Sequence, residues 1–200
     1  MRSRQREAGF TLTELLVVVA ILALLAAIAI PAFTRDTIES KYNEMLNTFA
    51  QEIQRAKFEA LSSKEDRALI FTSKTTYQLM AMTPGDTTGP YAQLRALTVP
   101  QDMEIAGFSI GANTTSGSTP AVTPAGAPND VEIRFTAISD VEVRGTGLGN
   151  CGGVNCGAGL CPCSITIYLH NTGPGGTVDT YRHRFVIYRG TAHAERLEGW

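Results

Sequence analysis

Gly9-Phe10-Thr11-Leu12-Thr13-Glu14 and the apolar run Leu15–Phe33 behind it decide how this chain reads. The run holds nineteen residues without a polar side chain, close to the roughly 20 that carry a helix across a bilayer. No other stretch of the 200 residues approaches it. Ahead of it, Arg2, Arg4 and Arg6 form a short basic head ending at Ala8-Gly9. A secretory signal has its small-residue cut site behind the apolar core. Here the small-residue site comes first, so a cut after Gly9 keeps the apolar helix in the mature chain. The pattern predicts a single-pass inner-membrane protein. The basic head stays in the cytoplasm and everything after the span lies outside it.

Glu14 interrupts the otherwise apolar character of 10–33. An unpaired carboxylate deep in a bilayer costs at least about 2.5 kcal/mol. One reading makes Glu14 an interfacial acid that snorkels to water. The other gives it a partner, the free α-amine of Phe10 exposed by cleavage. Four helical residues rise about 6 Å, so one turn separates the two groups. Between stacked chains the same pair would set the axial register. Pro31 deletes one intrahelical hydrogen bond and crowds the preceding turn. It marks either the membrane exit or a bend used in packing.

Gly9-Phe10-Thr11-Leu12-Thr13-Glu14-Leu15-Leu16-Val17-Val18 resembles the class III signal of type IV pilins and type II secretion pseudopilins. The resemblance implies cleavage after Gly9 by prepilin peptidase and N-methylation of Phe10. It makes Glu14 the acid that guides assembly, and Pro31 a proline common at that place in the family. Thr13 stands where isoleucine or valine is commoner. By this resemblance, 1–9 is a removed leader and 10–33 the transmembrane and filament-core helix.

From Thr34 the pattern turns amphipathic. Ile38, Tyr42, Met45, Phe49, Ile53, Ala56 and Ala60 recur at steps of three and four, a stripe of helical period. Charged residues fill most other positions, so 34–62 reads as a spine helix burying one face against a following domain. Counted from Phe10, the whole helix would reach about 80 Å. The segment Asn47–Ser62, with Arg55 to Ala60 near its end, is similar to the spine of the minor subunits grouped as GspH and FimT. Their β-rich head follows the helix directly.

Beyond Asp66 the period falls to two. Strands are expected at 67–72, 76–82, 94–99, 104–110, 131–138, 141–144, 164–170 and 181–188. Short strands in sequence favour an antiparallel sheet or two packed sheets. The fold class is therefore α+β, a long hydrophobic helix continuing as an amphipathic spine on a β-rich head of 63–200. Asn171-Thr-Gly-Pro-Gly-Gly176 is a turn signal. Residues 111–130, rich in Gly, Thr, Pro and Ala, read as a long exposed loop with few anchors.

Cys151, Cys156, Cys161 and Cys163 crowd a glycine-rich stretch, 149–163. Outside the cytoplasm such cysteines pair. Cys161 and Cys163 lie too close in an extended strand for an easy mutual bond. This leaves 151–161 with 156–163, or 151–163 with 156–161. Four thiolates also make a zinc set, which the oxidising compartment and the cramped Cys-Pro-Cys step disfavour.

Formal net charge is −2. Cleavage would remove three arginines and one glutamate, making the remainder more acidic, a poor match to broad nucleic-acid binding. His170, His183 and His193 form no metal spacing, and no catalytic constellation appears. No enzyme activity, cofactor or metal is expected. By resemblance, the expected function is that of a minor subunit assembling through its N-terminal helix into a secretion pseudopilus or a type IV pilus-like filament. A DNA-uptake pilin using Arg182, Arg184, Arg189 and Arg196 is an alternative, and a major pilin another. The partners implied are prepilin peptidase, other pilin-like subunits, the inner-membrane assembly platform and the lipid bilayer.

Overall fold

A computed structural model describes residues 12–82, 91–99, 102–126, 129–172 and 182–200, with the side chains of 28–39, 41 and 45 left out. The chain divides into two compact units, residues 1–46 and 47–200. Helix α1, Leu12–Ser63, runs through both, and its backbone is helical through Pro31.

In the first unit, the described side chains from Leu12 to Ala27 are exposed. Among the described residues, no helix is long and apolar enough to cross a membrane. Over its full length α1 has almost no amphipathic asymmetry. This corrects three expectations. Among the described residues, the hydrophobic helix of the expected fold class does not qualify as a membrane span. The single-pass inner-membrane placement loses its basis. So does filament assembly through a long hydrophobic N-terminal helix, and with it the pseudopilus, DNA-uptake and major-pilin readings. Residues 1–11, with the leader, the Gly9 cut site and Phe10, lie outside the described residues.

The second unit begins inside α1. Phe49, Ile53, Ala56 and Ala60 are buried, at the positions expected from the helical stripe. Ile38 and Met45 lie outside the described side chains. The helix stops where Lys64 takes a left-handed φ of 57°, the conformation that commonly ends helices. The Ser62 and Ser63 hydroxyls donate to the Glu59 carbonyl at this last turn.

The strands follow as β1 (Arg67–Phe71), β2 (Thr76–Ala81), β3 (Ala92–Thr98), β4 (Met103–Ile110), β5 (Val131–Phe135) and β6 (Val141–Gly145). Then come three two-residue strands, β7 (Asn150–Cys151), β8 (Val154–Asn155) and β9 (Cys161–Pro162). The last are β10 (Ile165–Asn171), β11 (Arg182–Ile187) and β12 (Ala194–Glu198). Sheet A runs β3-β2-β1-β5-β6-β9, sheet B runs β12-β11-β10-β4, and β7-β8 is a small hairpin. The pairings are antiparallel. The β-rich head thus consists of several sheets.

Alternation decides which side chains enter the core, since successive residues of a strand point to opposite faces. Leu69, Phe71, Tyr77, Leu79, Val131, Ile133, Val141 and Val143 line the inner face of sheet A. Phe108, Ile165, Ile167, Leu169 and Phe185 line that of sheet B, all of them buried. Phe49 joins the sheets to the helix. Its ring lies 5.2 Å from Phe185, 5.6 Å from Tyr77 and 6.5 Å from Phe71. Phe71 meets Phe108 at 4.9 Å, closing the core between the sheets. Burial pushes the Tyr77 hydroxyl well above its usual pKa. The Glu52 carboxylate adds to this and the Arg95 cation opposes it. Arg95 on β3 pairs with Glu52 at 3.1 Å and Glu59 at 3.7 Å, fastening that edge strand to α1.

Three local expectations change. The strand expected over 131–138 ends at Phe135, because 136–139 is a turn with Ser139 at φ 68° and Ile138 exposed. Ala194–Glu198, beyond the last expected strand, is an edge strand paired with β11. The segment 111–126 is anchored. Val122 bridges Phe108, and Gly107 makes room for it, since a Cβ there would collide with the Val122 carbonyl oxygen. The turn expected at Asn171–Gly176 lies largely outside the described residues.

Candidate functional site

The outer face of sheet A carries charge where the inner face carries hydrocarbon. Glu132 and Arg134 alternate with the buried Val131, Ile133 and Phe135, so β5 sends both outward. Register places Glu132 opposite Arg144 and Ile70, and Arg134 opposite Glu142 and Ala68. The Glu132 side chain is only 3% exposed. A buried carboxylate persists where it is paired and hydrogen-bonded. Glu132 accepts from the Arg134 guanidinium at 3.3 Å and from Arg144 at 2.5 Å. Arg144 also donates to the Tyr91 hydroxyl at 3.4 Å. Burial raises the Glu142 carboxyl above its ordinary pKa, against the pull of Arg134 and with help from Asp66, Asp140 and Glu132.

Beside this pair opens a pocket of about 340 Å³, bordered by Ile70, Tyr91, Asp130, Glu132, Arg144 and the backbone around Gly145 and Gly157. Burial raises the Asp130 carboxyl as well. Gly157 belongs to the cysteine-rich loop, which is stapled twice, Cys151 to Cys163 and Cys156 to Cys161. This is one of the two pairings left open by spacing. The Cys156 carbonyl accepts from the Gly145 amide at 3.0 Å, and Cys163 donates to Val141 at 3.2 Å. The staples therefore hold the loop along β6, beside the pocket. Among the described residues, no group of His, Cys, Asp or Glu is arranged to hold a metal ion.

The four candidate DNA-contact arginines do not converge. Arg196 lies opposite Phe185 on the inner face of sheet B, where it donates to the Asn47 side chain at 3.3 Å. Arg182 and Arg184 point to the outer face. Arg182 packs over the Trp200 ring, 4.4 Å from its centre. Arg189 sits in a turn, 3.6 Å from Asp140. Arg184 is buried. It donates to the carbonyls of Asn113 (3.2 Å), Thr114 (3.4 Å) and Thr115, and to the Ser118 hydroxyl (3.2 Å). It is unavailable to a phosphate backbone. Nearby, the Asn113 amide donates to Ser109 at 2.6 Å and Tyr168 at 3.1 Å.

Sequence reasoning missed Glu132, Arg144, Tyr91 and Asp130. One signal was available. In Val131-Glu-Ile-Arg-Phe135 and Val141-Glu-Val-Arg144, acid and base alternate with hydrophobes in both strands, the pattern of opposed pairs on one face.

Glu14 lies in the first described turn of α1. Residues 4–30 match the prokaryotic N-terminal methylation motif. The chain therefore has a prepilin-type N-terminus of the kind seen in pilins and pseudopilins generally. The match places Gly9, Phe10 and Glu14 inside one motif. No solved structure matches the chain.

Proposed function

We propose that this chain is a substrate of prepilin peptidase, cut after Gly9 and N-methylated on Phe10, and that its product is a non-catalytic protein bearing a head like those of the GspH/FimT minor subunits. The single supporting observation is the methylation-motif match over 4–30, which contains the Gly9-Phe10 junction. In the processed chain, a helix continued back to Phe10 would put Glu14 one turn from the new amine, about 6 Å along the axis. That is close enough for the two charges to attract. The passage from spine helix straight into antiparallel strands is the arrangement that the Asn47–Ser62 resemblance implies.

The test is the intact mass and N-terminal sequence of the protein produced with and without a prepilin peptidase. The expected product begins at Phe10 and carries one methyl group. Gly9→Ala leaves the precursor at full mass. A mature chain that starts at any other residue refutes the assignment, as does unchanged processing of Gly9→Ala.

A further inference from the structure

We propose that the pocket on the outer face of sheet A binds a small neutral polyhydroxy ligand, the chemistry of a single sugar ring. The proposal is independent of N-terminal processing. Three observations carry it. First, at about 340 Å³ the cavity falls in the roughly 300–1,000 Å³ range of small-ligand sites. Second, its guanidinium groups are already paired. Arg144 at the wall is held by Glu132, and Arg134 behind it is shared between Glu132 and Glu142. A free anion therefore meets no unpaired guanidinium, and a free cation meets Asp130, whose carboxyl burial biases toward its neutral form. Third, the polar groups ask for opposite things. Asp130 Oδ1 is buried with no hydrogen-bond partner among the described residues, and it calls for a donor. Arg144 keeps 36% of its side chain exposed and has donors left for an acceptor after satisfying Glu132.

A hydroxyl group both donates and accepts. Two neighbouring hydroxyls on one ring can thus donate a hydrogen bond to Asp130 and accept one from Arg144, with no net charge to desolvate. Ile70 and the Tyr91 ring supply an apolar wall for the ring's C–H face. The raised carboxyl of Asp130 fits the same picture, because burial there is not offset by a fixed cation.

The experiment is amide NMR of the full-length chain, titrated separately with glucose, galactose, N-acetylglucosamine, inorganic phosphate and putrescine. The expected result is saturable movement of the Gly145, Thr146 and Gly157 amides with at least one sugar. Phosphate and putrescine leave them in place. Asp130→Ala weakens the sugar response at least tenfold, and Tyr91→Ala does the same. The isosteric Asp130→Asn serves if the alanine variant loses its amide dispersion, and a several-fold loss is then expected. The proposal is overturned if no sugar moves these amides, if phosphate or putrescine saturates them instead, or if the folded variants bind as tightly as the parent.

Discussion

Replacing Arg184 with alanine separates a structural arginine from a ligand-binding one. Its guanidinium is buried on β11 and donates to three consecutive carbonyls of 113–115, to Ser118 and to the Glu198 carbonyl at 3.4 Å. A hydrogen bond from a charged donor contributes about 1.5–3 kcal/mol. The sum is not the net effect, because burying the guanidinium itself costs several kcal/mol. After truncation the Thr114 and Thr115 carbonyls turn to water, since that part of the segment is exposed. The expected loss is about 2–4 kcal/mol, near the lower end of what breaking a buried charged network costs. Urea unfolding measures it. Hydrogen exchange localises it, with the amides of 113–122 losing protection before the rest of sheet B. Arg196→Ala on the opposite face removes one hydrogen bond to Asn47 and costs about 0.5–1.5 kcal/mol. An unchanged urea midpoint and unchanged exchange at 113–122 in Arg184→Ala would refute the idea that this arginine pins the segment.

Phe49→Ala removes the ring that touches Phe71, Tyr77 and Phe185; a loss of about 3–5 kcal/mol is expected in urea unfolding. Replacing Cys156 and Cys161 together with serine opens the bond that closes a separation of 5 residues, and the chain-entropy relation gives a loss of about 2 kcal/mol. Limited proteolysis should then cut within 152–160, whereas the parent resists. His183 is pushed below the ordinary histidine pKa first by burial and then by the Arg196 cation, with Glu198 opposing. The unfolded chain therefore takes up the proton first. The stability His183 contributes is full above about pH 6.5 and is lost as pH falls through the lower folded value. The urea midpoint should drop between pH 7.5 and 5.5, and His183→Gln should flatten that slope; a parent midpoint that rises on acidification contradicts the sign.

Local periodicity made much of the head legible. Val131/Ile133/Phe135, Ile165/Ile167/Leu169 and the Phe49/Ile53/Ala56/Ala60 stripe each announce a buried face by spacing, because burial on one side imposes a period of two or of 3.6. What spacing does not carry is partnership. Nothing local pairs β5 with β1, or β4 with β10, since these pairings join residues dozens of positions apart. Edge strands are obscured for a related reason. Ala-Glu-Arg-Leu-Glu198 has solvent beyond one edge, so charge is tolerated and the alternation is blurred. The segment 111–126 looked unanchored because its anchor, Arg184, lies about seventy residues away. The apolar run misled in the other direction. Counting Leu15–Phe33 suggested a bilayer span, and among the described residues no helix is long and apolar enough to be one. The pocket was hidden because its acid and base residues read singly as ordinary solvent-facing charges.

The crossing of Val122 over Gly107 has a consequence for solubility. A border strand offers its unused amides and carbonyls to any passing chain, which is how sheets recruit neighbours and grow into aggregates. On β4 these groups are already spoken for. Phe108 exchanges hydrogen bonds with Val122, the Ala106 carbonyl accepts from the Thr123 hydroxyl, and the Ile105 amide donates to the Lys74 carbonyl in the connection between β1 and β2. A side chain at position 107 would push this plug aside and leave a sticky rim, so even alanine there should make the protein prone to self-association.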